Sequence, residues 1–201
     1  ASSGLLPYNN GDGERSFDFT VSPDDSVTAG TETVITIAGK EGSTVKCQTN
    51  LRVIVGQSYG ASISVATSLL SNIEPGSNKS TSITVTNQGN GPDNLRIASS
   101  SAPTGWAVQL AQPTVSAGSR HGNDKSTSID ITVRVPENAL ATEQIELTFS
   151  VLPSSGGTAY DSTTLSVSVA AVHAMYVNVP ATDQTGRSGT EVRFPTATIH
   201  D

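Results

Sequence analysis

Alternation with a period of two is the feature that most restricts this chain. Around residue 84, Ile83 and Val85 fall on one side while Ser82, Thr84 and Thr86 fall on the other. That is the signature of a strand with one dry and one wet face. Comparable runs recur between Tyr59 and Val172, at 61–67, 80–87, 94–98, 106–111, 127–135, 144–151 and 162–169, parted by clusters of Gly, Pro, Asn and Asp. Seven such strands predict one complete immunoglobulin-like β-sandwich over residues 58–172. Its expected interior is Ile63, Val65, Ile83, Val85, Leu95, Ile97, Val108, Leu110, Ile129, Ile131, Val133, Ile145, Leu147, Phe149, Leu165, Val167 and Val169, with Trp106 as the large plug. The fold class read from this pattern is all-β, in immunoglobulin-like sandwich repeats.

On either side the pattern is incomplete. Residues 17–55 offer strands at Phe17–Ser22, Glu32–Ala38, Thr44–Thr49 and Asn50–Val55, the last two readable as one, with Gly39-Lys40-Glu41-Gly42 as a hairpin connection. These are too few to close a two-sheet domain, so residues 1–57 read as the second half of a sandwich. After Val172 the sequence starts again. His173-Ala174-Met175-Tyr176-Val177-Asn178-Val179 parallels Tyr59-Gly60-Ala61-Ser62-Ile63-Ser64-Val65 at an offset of 114, and 193–199 falls where 81–85 falls. Residues 173–201 therefore read as the first two strands of a further sandwich. Met175, Tyr176, Val177, Val179, Val192, Phe194 and Ile199 are its candidate assembly positions.

Several motifs of the central unit, Glu74-Pro75-Gly76, Thr84-Val85-Thr86-Asn87-Gln88-Gly89-Asn90-Gly91-Pro92-Asp93, Pro103-Thr104-Gly105-Trp106, Ser116-Ala117-Gly118 and Val133-Arg134-Val135-Pro136-Glu137-Asn138-Ala139, have a family resemblance. The unit resembles the NEW3/CARDB-like immunoglobulin-like repeats of large archaeal and bacterial surface proteins. The resemblance covers 59–172 and extends to 173–201; in 17–57 it is confined to strand spacing and Ala29-Gly30. Its motifs are turn and core positions, so it implies a fold and an extracellular or cell-surface setting more than an activity. Repeats of this kind serve as spacers, as carbohydrate- or protein-binding modules and as building blocks of cell envelopes. His121-Gly122-Asn123-Asp124 departs from the usual short turn at that place.

Charge and composition narrow the chemistry. With 11 basic against 18 acidic residues and a net charge of −7, the chain lacks the clustered cations that nucleic acid demands. No stretch approaches the apolar length of a membrane span, and Ala1-Ser2-Ser3-Gly4 has neither a basic nor an apolar leader region. A mature or excised form, with any membrane anchor outside it, is expected. The one cysteine, Cys47, alternates in phase with Val45, Leu51 and Val53 and reads as a small core residue. Asn10, Asp12 and Glu14 place oxygens at alternate positions around glycines, a weak calcium-loop pattern with Tyr8 where the first carboxylate belongs; a bare turn suits them better. His121, His173 and His200 have no metal-like spacing, Asp24-Asp25 reads as a hydrated turn, and no nucleophile elbow is present. No catalytic residue, no metal and no cofactor beyond that calcium candidate are expected, and no enzyme. Asn78-Lys79-Ser80 is the only N-glycosylation sequon.

Taken together these readings point to an extracellular structural protein that self-associates, the C-terminal strands of one subunit completing the N-terminal half-domain of the next, in a surface filament or cell-envelope layer. A spacer of a large surface adhesin is the first alternative. A glycan- or protein-binding module of a secreted hydrolase is the second, and it requires exposed aromatics, of which the chain has few: 4% of residues.

Overall fold

The computed structural model describes residues 18–171, 176–178, 187–189 and 198–200. Every regular element among them is a strand. β1 (Glu32–Glu41) and β2 (Thr44–Ile54) form a separate two-stranded antiparallel sheet. The central unit holds nine strands: β3 (Ala61–Val65), β4 (Leu69–Ile73), β5 (Asn78–Asn87), β6 (Asp93–Ser99), β7 (Ala107–Leu110), β8 (Thr114–Ala117), β9 (Ser126–Arg134), β10 (Gln144–Pro153) and β11 (Asp161–Val169). They make a four-stranded sheet, β3-β5-β9-β7, and a five-stranded sheet, β4-β11-β10-β6-β8. A last antiparallel pair joins β12 (Tyr176–Asn178) to β13 (Thr198–His200).

The sandwich is the expected one with two additional strands. β4 and β8 were not foreseen, and both lengthen the second sheet. The chain leaves β3, crosses at Ala66–Ser68 and lies parallel to β11, so one stretch near the start of the unit serves both sheets. β4 is irregular: Asn72 has φ 55°, and its register against β11 slips between Val167 and Val169. Two of the quoted motifs prove to be the same turn. In Glu74-Pro75-Gly76-Ser77 and in Pro103-Thr104-Gly105-Trp106, the fourth residue's N–H donates to the first residue's carbonyl, at 3.1 and 3.0 Å, and the third residue is a glycine at φ 79° or 88°. A positive φ at that position is what glycine supplies without steric cost.

The core lies between the two sheets. Of its expected members all are buried except Val65, Val108 and Leu110, which pack against it from the rim. Ala61, Leu70, Ile73, Val115, Ala117, Val135 and Val151 complete it. Trp106 is 7% exposed and donates from Nε1 to Glu143 Oε1 at 3.3 Å, so it is a core plug with its polar edge satisfied.

Before the sandwich the structure differs from expectation in three ways. Residues 18–31 form no strand, although Phe19 and Val21 alternate; both are exposed. β1 is longer than expected and the hairpin turns at Gly42-Ser43, with Gly42 at φ 60°, so Gly39-Lys40-Glu41 belongs to the strand, while β2 is the single long strand that 44–55 could be read as. Cys47 is exposed rather than buried. It shares a face with Leu51 and Val53 as expected, while the bulge between Gly39 and Lys40 breaks its phase with Val45; no residue of β1 or β2 is buried, because a face becomes a core only when a second layer covers it.

Candidate functional site

Antiparallel pairing puts directly opposed residues on the same face. In the hairpin the pairs Thr33↔Val53, Ile35↔Leu51, Ile37↔Thr49 and Gly39↔Cys47 share one face. An added Cβ on Gly39 would lie 2.7 Å from Cys47 Sγ, which sets the thiol over the glycine on that same side. Ile35, Ile37, Val53 and Val55 are half-buried and Leu51 is 41% exposed. The opposite face carries a two-pronged Arg52–Glu32 pair, Nε to Oε1 at 2.5 Å and Nη2 to Oε2 at 2.6 Å, and a Thr36–Asn50 hydrogen bond of 2.8 Å. That face also exposes Val34 and Ile54 and is mixed, while the first is the more continuously apolar one and has no second layer over it.

The sequence shows what kind of face this is. Leu51-Arg52-Val53-Ile54-Val55 repeats Leu165-Ser166-Val167-Ser168-Val169 at an offset of 114, and in β11 Leu165, Val167 and Val169 are buried. β2 is similar in sequence to β11, and β1 pairs antiparallel with it as β10 pairs with β11, two residues away from the 114 offset (Thr33↔Val53 against Ile145↔Val167). The last pair obeys the same offset. Tyr176↔His200, Val177↔Ile199 and Asn178↔Thr198 reproduce Ser62↔Thr86, Ile63↔Val85 and Ser64↔Thr84 of β3 and β5. In the central sandwich β3 lies across the core from β10 and β11.

A knuckle of hydrogen bonds holds the hairpin to the sandwich. Asn87 is fully buried; its Nδ2 donates to the carbonyls of Gly91 and Gly118, each at 2.8 Å, and its Oδ1 accepts from Gly89 N at 2.7 Å. Asn90, reached through that loop, grips the linker: Oδ1 accepts from Ser58 N at 2.7 Å and Nδ2 donates to Gly56 O at 2.9 Å. Its carbonyl accepts from Ala29 N at 3.0 Å. Gly89 has no room for a Cβ, which would fall 2.5 Å from Ser58 O, and at Gly91 one would crowd the Ala29 Cβ at 3.0 Å. The departure at His121 now has a physical reason. Arg120 donates to the carbonyl and to the carboxylate of Asp25, and His121 Nε2 lies 3.0 Å from the Asp25 carbonyl, so this loop pins the lead segment to the sandwich.

Other expected positions fall as follows. Asn78 opens β5 and is exposed, opposite Arg134. Asp24 is an ordinary turn carboxylate: Oδ1 accepts from Ser26 Oγ at 2.6 Å and Ser26 N at 2.9 Å, and these bonds hold its carboxyl below the usual value. Tyr176, Val177 and Ile199 lie in β12 and β13. Met175, Val179, Val192 and Phe194, and the calcium candidates Asn10, Asp12 and Glu14, lie outside the described residues. Among the described residues no three His, Cys, Asp or Glu side chains gather as metal ligands, and no helix is long and apolar enough to cross a membrane. The roles of Asp25, Arg120 and Asn90 escaped sequence reasoning; the Asn-Gln-Gly-Asn-Gly run was the only local signal for them.

The fold is all-β, an immunoglobulin-like sandwich with a two-stranded antiparallel sheet before it and another after it. No protein-family model matches it, and no curated protein does. Among solved structures it is similar to domains 4 and 5 of the S-layer protein SbsC, at 16% identity over 70% of this chain and 77% of that one, with a TM-score of 0.39. It is similar to a putative carbohydrate binding protein from Bacteroides ovatus, at 11% identity over 64% of this chain and 43% of that one, TM-score 0.41. A family 123 glycoside hydrolase from Clostridium perfringens matches at 14% identity and TM-score 0.37, with 55% of this chain covered and only 27% of the hydrolase. At these values the likenesses carry no argument about activity, substrate or partner.

Proposed function

We propose that this chain is a structural protein of the cell exterior, assembled head to tail by completing a sandwich between subunits. The β12–β13 pair of one copy lies over the apolar face of the β1–β2 hairpin of the next. The observation that supports this is the pair of register copies: a face of the β10–β11 kind at one flank and a pair of the β3–β5 kind at the other. An uncovered apolar sheet of two strands is marginal in water, and its edges invite pairing. The contact is heterologous, so it propagates into a filament or layer unless it closes into a ring. The NEW3/CARDB-like character of the central unit belongs to the same proposal.

Light scattering over a range of concentrations, beside negative-stain microscopy, tests it. The full chain forms polymers and a chain lacking residues 173–201 stays monomeric. If both stay monomeric, assembly by complementation is wrong. A spacer within a longer stalk is the second reading, favoured by the Asn90 clamp, which fixes the direction in which one repeat follows another.

A further inference from the structure

Phe17-Asp18-Phe19-Thr20-Val21 parallels Ile129-Asp130-Ile131-Thr132-Val133 of β9 at an offset of 112, with Asp, Thr and Val kept and Phe in place of Ile. The backbone after it keeps the same offset. Val27 N donates to Asp24 O at 3.0 Å as Ala139 N does to Pro136 O at 3.2 Å, and Thr31 N donates to Thr28 O at 3.3 Å as Glu143 N does to Leu140 O at 3.0 Å. Gly30, at φ 79°, stands where Thr142 has φ 67°. Val55 N reaches Thr31 O at 2.9 Å, and Val169 N reaches Glu143 O at 3.0 Å. β1 continues the series, with Thr33 opposite Val53 as Ile145 is opposite Val167. Residues 24–31 thus repeat the turns of 136–143, and Asp18–Val21 enters them as β9 enters the originals.

The two segments differ in state. In β9 Ile129, Ile131 and Val133 are buried, and β5 and β7 pair with it on its two sides. Asp18–Val21 is not a strand, and Val21 is 38% exposed. A short β-rich segment becomes a strand when a neighbouring backbone completes its ladder. For β9 that neighbour is β5, and the chain's other strand of the β5 register is β13, paired with β12 as β5 is with β3.

We propose that Asp18–Val21 is the acceptor strand of the subunit contact, passing from irregular backbone to strand when the β13-bearing segment of a second copy lies antiparallel beside it. This rests on the head-to-tail reading above and adds a backbone ladder to the apolar packing. Lys79↔Val133 and Thr81↔Ile131 set the register: position 193 falls against Val21 and 195 against Phe19. Ala111 N donates to Asp130 O on the β7 side of β9, so Ile131 and Val133 turn their backbone to β5. By the offset, the Val21 N–H points to the neighbour and the Thr20 N–H away from it. Pro195 stands in the place of Thr81 and has no N–H, so its pair with Phe19 keeps only the bond that its carbonyl accepts.

Hydrogen exchange of the full chain tests this, run below and above the concentration at which light scattering reports polymers, then quenched, dissociated and read by NMR. The Val21 amide should slow by about tenfold or more on assembly, while Thr20 keeps its rate. Val21→Pro removes that donor and should raise the assembly concentration about tenfold, with the Trp106 fluorescence melting curve unchanged. Polymers in which Val21 exchanges as in the monomer, or a proline variant that assembles like the parent, overturn this proposal and leave packing over the hairpin face standing. Protection of Val21 at every concentration overturns it too, because the segment then pairs within its own chain. Absence of polymers at any concentration overturns both readings.

Discussion

Replacing Asn87 by alanine tests whether the knuckle carries the joint. Asn87 is 0% exposed and makes three short bonds, so the change leaves the Gly91 and Gly118 carbonyls and the Gly89 N–H without their partner. Each orphaned buried group costs ~1–3 kcal/mol, less for a carbonyl that water reaches. The expected loss is about 3–5 kcal/mol, a large share of the 5–15 kcal/mol by which domains are usually stable. Asn87→Asp separates hydrogen bonding from size. It keeps the acceptor for Gly89 N but sets a carboxylate oxygen against two carbonyls, so the folded state raises its pKa. A raised acid favours folding while protonated, so this variant gains stability as pH falls. The assay is guanidinium unfolding followed by the fluorescence of Trp106, the only tryptophan, buried in the sandwich. A loss below about 1 kcal/mol for alanine, or an aspartate variant as stable as the parent at neutral pH, refutes the reasoning.

Three further outcomes are expected. The amide of Ser26, which donates to Asp24, should titrate with a midpoint below the ordinary carboxyl value of 3.8, since its bonds favour the ionised form; the turn persists above that value and loosens as pH falls through the lowered one, and a midpoint at or above 3.8 contradicts it. Phe149→Ala, at a fully buried side chain, should cost about 3–5 kcal/mol in the same unfolding assay. Arg120→Ala should speed hydrogen exchange at Val27–Thr31 while leaving the β5–β9 amides unchanged, because it unpins the lead segment and touches no core residue; equal protection in both proteins counts against the latch.

Strands that alternate cleanly were legible, and those that do not were missed. In β4 only Leu70 and Ile73 face the core, three residues apart, because the left-handed Asn72 breaks the period. β8 is four residues between Pro113 and Gly118, too short to show a rhythm. At Cys47 the alternation gave the correct face but could not supply the layer that would cover it, which depends on another part of the chain or another molecule. Site residues were harder for a related reason. Asn87 and Asn90 stood out as a motif, yet their partners are at Gly118 and in the linker. Arg120 meets Asp25 across 95 residues.

Coverage of the hairpin face is the claim on which the assembly reading stands, and Cys47 reports on it directly. The thiol lies on that face beside Gly39, and it is the only one in the chain. Its rate of modification by a thiol reagent should be measured as protein concentration rises, in the parent and in Leu51→Asp, which places a charge among the apolar residues. Complementation between subunits requires the parent's rate to fall with concentration while the variant's stays constant. A parent rate that does not change, under conditions where light scattering reports polymers, places the subunit contact elsewhere and contradicts it.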